Sequence, residues 1–364
     1  MNRTLLHLSL IPGIGPATVA RLCEVVSTEK LDDLYLWSAS DFVARAHLSL
    51  AVAEVVVKGL RERALLEQEL EFIAKHDVLC CTLADEAYPE LLKQIHYPPI
   101  VLYWWGIELS QFSSSVALVG SRAAQGYARQ VIDVLVPDLV QAGWSVVSGG
   151  ALGADTLAHT ATLDAGGKTA AVIGSGLLYP YPASNKRLFM RMREMGGAVI
   201  SPFPLTMQAM PGNFPARNRI IAGLCKATVV VQAAEKSGAL ITAFFALEQG
   251  REVGAVPGAI TDPLSAGCHA LLRDGAFLVS SARDILRACG EGEELSEKRD
   301  EKSGEAQGAL VFGDELERIC AEPQSFDDLL EQLGCSFQEL QERLFNLQLQ
   351  GRLTQDFMGR WQRR

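Results

Sequence analysis

Residues 145–163 read SVVSGGALGADTLAHTATL, in which a short apolar strand runs through two glycines into a helical pattern. The same succession repeats along the middle of the chain, between Val116 and Ala288. These strands are apolar throughout rather than alternating, which indicates burial on both faces and therefore a mostly parallel sheet covered by helices. The predicted fold class is a doubly wound α/β domain. Its predicted strands lie at residues 116–119, 145–147, 170–173, 198–200, 228–231 and 252–256.

Glycine or proline follows soon after each predicted strand, for example at Gly120, Gly174 and Pro202. In an open parallel sheet, ligands bind in the crevice at the carboxyl ends of the strands. The loops after the strands are therefore where function is expected.

Charge is distributed unevenly along the 364 residues, whose net charge is -10. Residues 116–289 carry 15 basic and 11 acidic side chains, whereas residues 1–115 carry 9 and 15, and residues 308–364 carry 6 and 10. A net positive core with acidic attachments suits a protein that binds an anion. Ordinary scatter of surface charge is the alternative explanation.

The flanks differ from this core in composition. Residues 1–75 show apolar spacings of three and four, which predict a helical domain. Residues 290–307 are too polar to bury a core of their own and are predicted to be a flexible linker. Residues 308–364 give three short helical patterns and a hairpin, the arrangement of a winged helix. The predicted α/β domain therefore comprises residues 76–289.

No apolar run approaches the roughly 20 residues that cross a bilayer, and no signal peptide is recognisable. We therefore expect a cytoplasmic protein without a membrane partner. The eight cysteines are scattered without a C-x-x-C pair, so neither a zinc site nor a disulfide framework is predicted. We expect no metal and no cofactor.

Two loops contain groups of the kind that can hold a phosphate. Gly120-Ser121-Arg122 offers backbone amides, a hydroxyl and a guanidinium at one strand end. An N-capping Ser121 beside a solvated arginine is an equally good explanation of this tripeptide. Gly149 and Gly150 allow a ligand to approach the backbone at a helix N-terminus. Neither loop has the lysine of a P-loop or the pattern G-x-G-x-x-G, which disfavours ATP hydrolysis and NAD binding.

Aromatic and basic residues are interleaved between Tyr179 and Arg193. Bases stack on aromatic rings while cations neutralise the phosphates, so this composition suits a single-stranded nucleic acid. A turn leading into a basic-faced helix is the equal alternative. The candidate ligand-binding residues in this stretch are Tyr181, Asn185, Lys186 and Arg187.

The densest cluster is NFPARNRIIAGL at residues 213–224. Two arginines that flank an asparagine at a helix start predict a strong anion site. Residues 237–242 also combine a glycine turn with hydroxyl groups at a helix start. A glycine hinge with ordinary helix caps is an equally good explanation of this stretch. The candidates from both stretches are Phe214, Arg217, Asn218, Arg219, Ser237, Gly238 and Thr242.

Catalysis has less support in the sequence than binding. No Ser-His-Asp, Cys-His or paired-carboxylate arrangement can be assembled from the six histidines and the acids of the core. Asp155 is interpreted as a helix N-cap and His159 as a packed side chain. We therefore predict no catalytic residue and expect the protein not to be an enzyme.

In order and spacing, these motifs resemble the DNA-processing protein family called DprA or Smf. The matching motifs are G-S-R at 120–122, S-G-G-A-x-G-x-D-x-x-A-H at 148–159, Y-P at 181–182, F-P-x-R-N-R-I-I at 214–221, S-G-x-x-I-T-A at 237–243 and V-P-G at 256–258. The resemblance implies an extended Rossmann domain that binds single-stranded DNA and forms a homodimer. It also implies that the protein helps to load the recombinase RecA, with single-strand-binding protein as a further partner, during natural transformation. A SAM-like N-terminal domain and a C-terminal winged helix are implied as well.

The resemblance assigns the family's DNA pocket to the arginine of G-S-R, here Arg122, and to basic residues after Y-P, for which Lys186 or Arg187 is the nearest match. Two features depart from the family pattern. The usual Ser-Glu-x-Pro is Ser-Pro-Phe-Pro at residues 201–204, so any role of that glutamate is absent. Because the flanks are acidic, a contact between the winged helix and another protein is as well supported as a contact with DNA.

Residues 10–16, LIPGIGP, resemble the turn of a helix-hairpin-helix, although a purely structural turn suits the acidic segment better.

Two rival functions remain. One is a nucleotide-binding Rossmann enzyme such as a nucleotide phosphoribohydrolase, whose P-G-G-x-G-T-x-x-E signature is missing here. The other is a protein-interaction adaptor in which the acidic flanks dominate.

Overall fold

The chain divides into two units, residues 1–292 and 293–364. The structure is a computed structural model, and it describes residues 1–124, 126–291, 316, 319–320, 323–333, 337–349, 352–356 and 360–363. Each unit contains a sheet of its own.

The first 75 residues are helical. Helix α5 fastens this segment to the α/β part, because Glu69 accepts a hydrogen bond from the backbone N–H of Leu205 at 2.8 Å. Leucines of the first helix also share one apolar core with Tyr103 and Val199. The elements are α1 (Arg3–Leu10), α2 (Pro16–Val25), a 3₁₀ segment (Thr28–Leu36), α3 (Ala39–Ala46), α4 (Leu50–Arg61) and α5 (Arg63–Lys75).

Nine strands are described in the first unit. They are β1 (Leu79–Thr82), β2 (Val101–Gly106), β3 (Ser115–Gly120), β4 (Ser145–Ser148), β5 (Thr169–Val172), β6 (Ala198–Ser201), β7 (Ala227–Gln232), β8 (Glu252–Ala255) and β9 (Phe277–Leu278). They pair in the order β1-β2-β6-β5-β4-β3-β7-β8-β9. The strands from β3 to β9 are parallel wherever they pair, and β2 and β1 join antiparallel beside β6.

The predicted fold class is confirmed, and all six predicted strands appear to within one residue at each end, as β3 to β8. Burial on both faces is visible in β3, where Val116 and Leu118 pack into one apolar layer and Ala117 and Val119 into the other. The covering helices are α6 (Glu90–Lys93), α7 (Gly126–Gln141), α8 (Ala154–Asp164), α9 (Lys186–Glu194), α10 (Asn213–Gly223), α11 (Gly238–Glu248), α12 (Ala266–Arg273) and α13 (Ala282–Ala288).

The strand order reverses beside β3. Strands β4, β5 and β6 follow β3 in the chain and lie on one side of it. Helix α10 then connects β6 to β7, which pairs with β3 on the other side. The carboxyl ends of β3 and β7 therefore bound a crevice, at the position where open α/β sheets hold their ligands.

The second unit ends in two helices and a hairpin, as a winged helix does. These are α14 (Phe326–Leu333), α15 (Phe337–Leu349), β10 (Leu353–Gln355) and β11 (Trp361–Arg363), with β10 and β11 antiparallel. Leu329, Leu340, Leu344 and Trp361 are buried in one core. The predicted linker at 290–307 and the first predicted helix of this unit lie largely outside the described residues.

No helix among the described residues is both long and apolar enough to span a bilayer. The histidines, cysteines and acids of those residues form no group that could hold a metal ion.

Candidate nucleic-acid interface

The loop after β3 holds Arg122 at the mouth of the crevice. The backbone N–H of Ser121 donates to the carbonyl of Gln232 at 2.7 Å, and its carbonyl accepts from the N–H of Ala154 at 3.2 Å. The Ser121 hydroxyl accepts locally from the N–H of Ala123 at 3.1 Å. The loop is thus tied to β7 and α8, while the Arg122 side chain is exposed to solvent.

The loop after β4 is organised around a buried carboxylate. Oδ2 of Asp155, in the first turn of α8, accepts hydrogen bonds from the backbone N–H groups of Gly149 at 3.0 Å and Ala151 at 3.2 Å. Burial raises the pKa of Asp155, although the Arg217 guanidinium and these hydrogen bonds act in the opposite direction. The residue at the N-cap position of α8 is Gly153, so Asp155 holds the preceding loop and does not occupy the predicted N-cap position.

Arg217 is the buried cation of the site, with 4% of its surface exposed. Its Nη1 donates to the carbonyl of Val172 at 3.0 Å, and its Nε has no partner among the described residues. Burial lowers the pKa of Arg217 to about 10, with Asp155 raising it, so the guanidinium stays charged at neutral pH. The side chain needs Gly149, because a Cβ there would collide with Nη1.

Phe214 brings the predicted residues together. Its ring centroid lies 5.6 Å from Cζ of Arg122, 6.0 Å from Cζ of Arg217 and 5.8 Å from the ring of Tyr181. We call these four residues the aromatic–arginine cluster. It joins the loop after β3, the loop after β5 and the start of α10, and Tyr181 leaves 47% of its surface exposed. The cluster lines a small cavity of about 50 Å³.

A larger cavity of about 390 Å³, here called the switch-point cavity, opens beside the cluster. The N-terminus of α11 contributes to it, and the backbone N–H of Ala239 donates to the Ser237 hydroxyl at the helix cap. Helix N-termini and guanidinium groups both favour a negatively charged ligand. The predicted residues that line this cavity are Gly120, Arg122, Phe214, Arg217, Asn218, Ser237, Gly238 and Thr242.

The structure places some predicted residues elsewhere. Arg219 points to the carbonyls of His96 and Tyr97, with 2.6 Å from Nη1 to the second of these, and does not join the cluster. Asn185 is buried, and its amide donates to the carbonyl of Gly150 at 2.9 Å, which fixes the loop after β4. Lys186 and Arg187 are exposed in the first turn of α9.

Asn213 is a site residue that the sequence did not single out. It is buried, and its Nδ2 donates to the carbonyl of Gly174 at 3.1 Å. That bond anchors the start of α10 on the loop after β5. Gly174 also lies against Phe214, since a Cβ there would be 2.9 Å from the ring. The position of Phe214 therefore depends on both residues.

An open α/β sheet of this topology defines a protein of the Rossmann-like class, and the guanidinium groups and aromatic rings at its switch point suit an anionic ligand. The family model described as DNA recombination-mediator protein A matches residues 79–290. DNA processing protein DprA of Bacillus subtilis is 35% identical over 293 residues, which cover 77% of this chain and 95% of that protein. The chain belongs to the DNA recombination-mediator protein A family, as its motifs predicted.

Solved structures agree with this assignment. DNA processing protein A of Streptococcus pneumoniae superposes with a TM-score of 0.69 at 34% identity, covering 79% of this chain and 97% of that one. DNA processing protein A of Helicobacter pylori, described in connection with its single-stranded DNA binding mode, gives a TM-score of 0.51 at 27% identity. It covers 57% of this chain and 94% of that one.

Proposed function

We propose that this protein binds single-stranded DNA at the aromatic–arginine cluster and acts as a recombination mediator that helps to load RecA. The observation that carries this proposal is the convergence of Arg122, Tyr181, Phe214 and Arg217 from two loops and the start of α10. Phosphates pair with guanidinium groups, and bases stack on exposed aromatic rings. The single-stranded DNA binding mode described for the Helicobacter pylori protein supports the same ligand.

Single strands fit this site better than duplexes do. The rings of Tyr181 and Phe214 lie in a crevice, and a base reaches them only when it is unstacked from its neighbours. A duplex offers its phosphates to the exposed Arg122 but keeps its bases stacked. Affinity for both forms falls with salt because bound phosphates release counterions.

The proposed role is binding without chemistry. Asp155 is the carboxylate that lines the switch-point cavity, and its Oδ2 is occupied by two backbone N–H groups. A phosphoribohydrolase would need a carboxylate free to act near the ribose. Action in natural transformation, a cytoplasmic location, homodimerisation and contact with single-strand-binding protein complete the proposal, and these parts rest on the family resemblance.

Arg122→Glu is expected to weaken binding of a single-stranded oligonucleotide by at least about tenfold, because it replaces a phosphate partner by a charge that repels phosphate. Affinity is measured across a salt series for single- and double-stranded oligonucleotides of one sequence. The wild type is expected to prefer the single strand and to show a negative salt slope.

Arg273→Glu provides the control, since Arg273 is exposed on α12 and lines neither the small nor the switch-point cavity. It makes the same change in net charge and is expected to retain most of the affinity. Equal and weak binding by wild type and Arg122→Glu would rule the proposal out.

A further inference from the structure

We infer that a bound single strand continues from the aromatic–arginine cluster into a second groove, which holds at least one additional base. This inference rests on the proposed function and extends its binding surface. The groove, here called the side groove, has a volume of about 700 Å³. Its lining includes Trp105, Tyr179, Lys186, Met190 and Arg193.

The side groove is continuous with the cluster. Tyr181 lines both the side groove and the small cavity formed by the cluster, and its ring lies 5.8 Å from that of Phe214. A strand with one base against Phe214 therefore has to pass only the Tyr181 side chain to enter the side groove.

The walls of the side groove suit a base. Leu177 and Phe189 are buried beneath it, while Tyr179 and Met190 leave 53% and 55% of their surfaces exposed at its rim. Its volume lies within the range of about 300–1,000 Å³ found for pockets that enclose small organic ligands. The indole N–H of Trp105 already donates to the carbonyl of His76 at 3.2 Å, so apolar ring contact is what this residue adds to the groove.

The charges at the side groove match a polyanion. Lys186, Met190 and Arg193 follow each other at spacings of four and three on α9, which places them on one face of the helix. Cζ of Arg193 lies 5.7 Å from the Trp105 ring, and its Nη2 lies 3.6 Å from a carboxylate oxygen of Asp77. The Asp77 side chain is almost fully exposed, and such ion pairs are weak, so a phosphate can replace it. None of the described residues lining the groove is acidic.

The test uses the full-length chain and thymidine oligonucleotides of about 4 and about 16 nucleotides, which bracket the size of common single-strand sites. Tyr179→Ala is expected to weaken binding of the longer oligonucleotide about tenfold, the loss of one base stack. Binding of the shorter one at the cluster is expected to change less than about twofold, a free-energy difference of about 0.4 kcal/mol. Arg193→Gln is expected to reduce the salt slope for the longer one by about 0.7, the value for one single-strand phosphate.

Two controls accompany these variants. Tyr97→Ala removes another exposed tyrosine that lines none of the three cavities, and it is expected to bind both lengths as the wild type does. The wild type is also titrated with longer oligonucleotides that lack one base at successive positions. We expect affinity losses at positions beyond those that the cluster covers, which tests the inference without altering the protein.

The two hypotheses fail in different ways. If Tyr179→Ala and Arg193→Gln bind the longer oligonucleotide like the wild type while Arg122→Glu loses both lengths, the strand does not enter the side groove and this inference is wrong. If Arg122→Glu keeps its affinity for both lengths, the proposed function itself is wrong.

Discussion

Arg217→Met is expected to lower the free energy of unfolding of the first unit by about 1–3 kcal/mol, the usual cost of leaving buried polar groups without a partner. The substitution leaves Asp155 buried without its nearby cation and leaves the Val172 carbonyl without its donor. Single-strand binding should be lost as well, because the cluster loses one of its two guanidinium groups. Urea unfolding and oligonucleotide titration measure the two effects.

The double variant Asp155→Asn/Arg217→Met should regain part of the stability that the single variant loses, because no charge remains buried. Arg273→Met, at an exposed position on α12, is expected to change the free energy of unfolding by less than about 0.5 kcal/mol. An Arg217→Met protein as stable as the wild type would show that the pair contributes nothing to folding.

The pH dependence gives a second readout for this pair. Burial raises the pKa of Asp155 above its unfolded value, so this carboxyl favours the folded state below the unfolded pKa. That contribution is lost as the pH rises through the folded pKa. Removing Arg217 raises the folded pKa further, and the loss should become larger and extend to higher pH.

Acidification to pH 4 is expected to destabilise the first unit by about 3 kcal/mol through His159 alone. Burial lowers the pKa of His159 to about 3, whereas the unfolded chain titrates near the ordinary value of 6.5. The folded state therefore keeps the imidazole neutral, and its stability is lost as the pH falls from 6.5 towards 3. A protonated imidazole would be unfavourable here. Nδ1 lies 2.7 Å from Oγ1 of Thr169, and a proton on Nε2 would have no acceptor among the described residues.

The measurement compares the wild type with His159→Gln at pH 7 and at pH 4. The variant should start less stable, because it loses the imidazole packing, but should lose about 3 kcal/mol less on acidification. Parallel pH profiles for the two proteins would contradict this explanation.

The sheet was predictable to the extent that its strands are buried on both faces. Strands β3 to β8 are mostly apolar without a polar alternation, and they alternate along the chain with helical patterns, so both their positions and their parallel pairing followed from the sequence. Strands β1 and β2 join antiparallel at the edge, and β9 has only two residues. None of these three strands was predicted.

The site was predictable as a set of loops and less so as individual contacts. Arg217 and Arg219 lie two residues apart on α10, and about 200° of helix rotation separates their side chains. Only one of them can face the crevice, and the sequence does not say which. The anchoring bond of Asn213 goes to Gly174, 39 residues away, and a contact of that kind depends on the completed fold.

The reversal of strand order also determines when the protein can finish folding as it leaves the ribosome. Strand β3 pairs with β4 soon after both are made, but its other edge stays open until β7 is synthesised, and Ser115 bonds to Leu224 across 109 residues. A nascent chain that ends before Ala227 therefore exposes the unpaired edge of a strand that is almost fully buried in the finished fold. Unpaired edges recruit other strands, so ribosome-bound chains of this length should be the ones that aggregate or recruit chaperones.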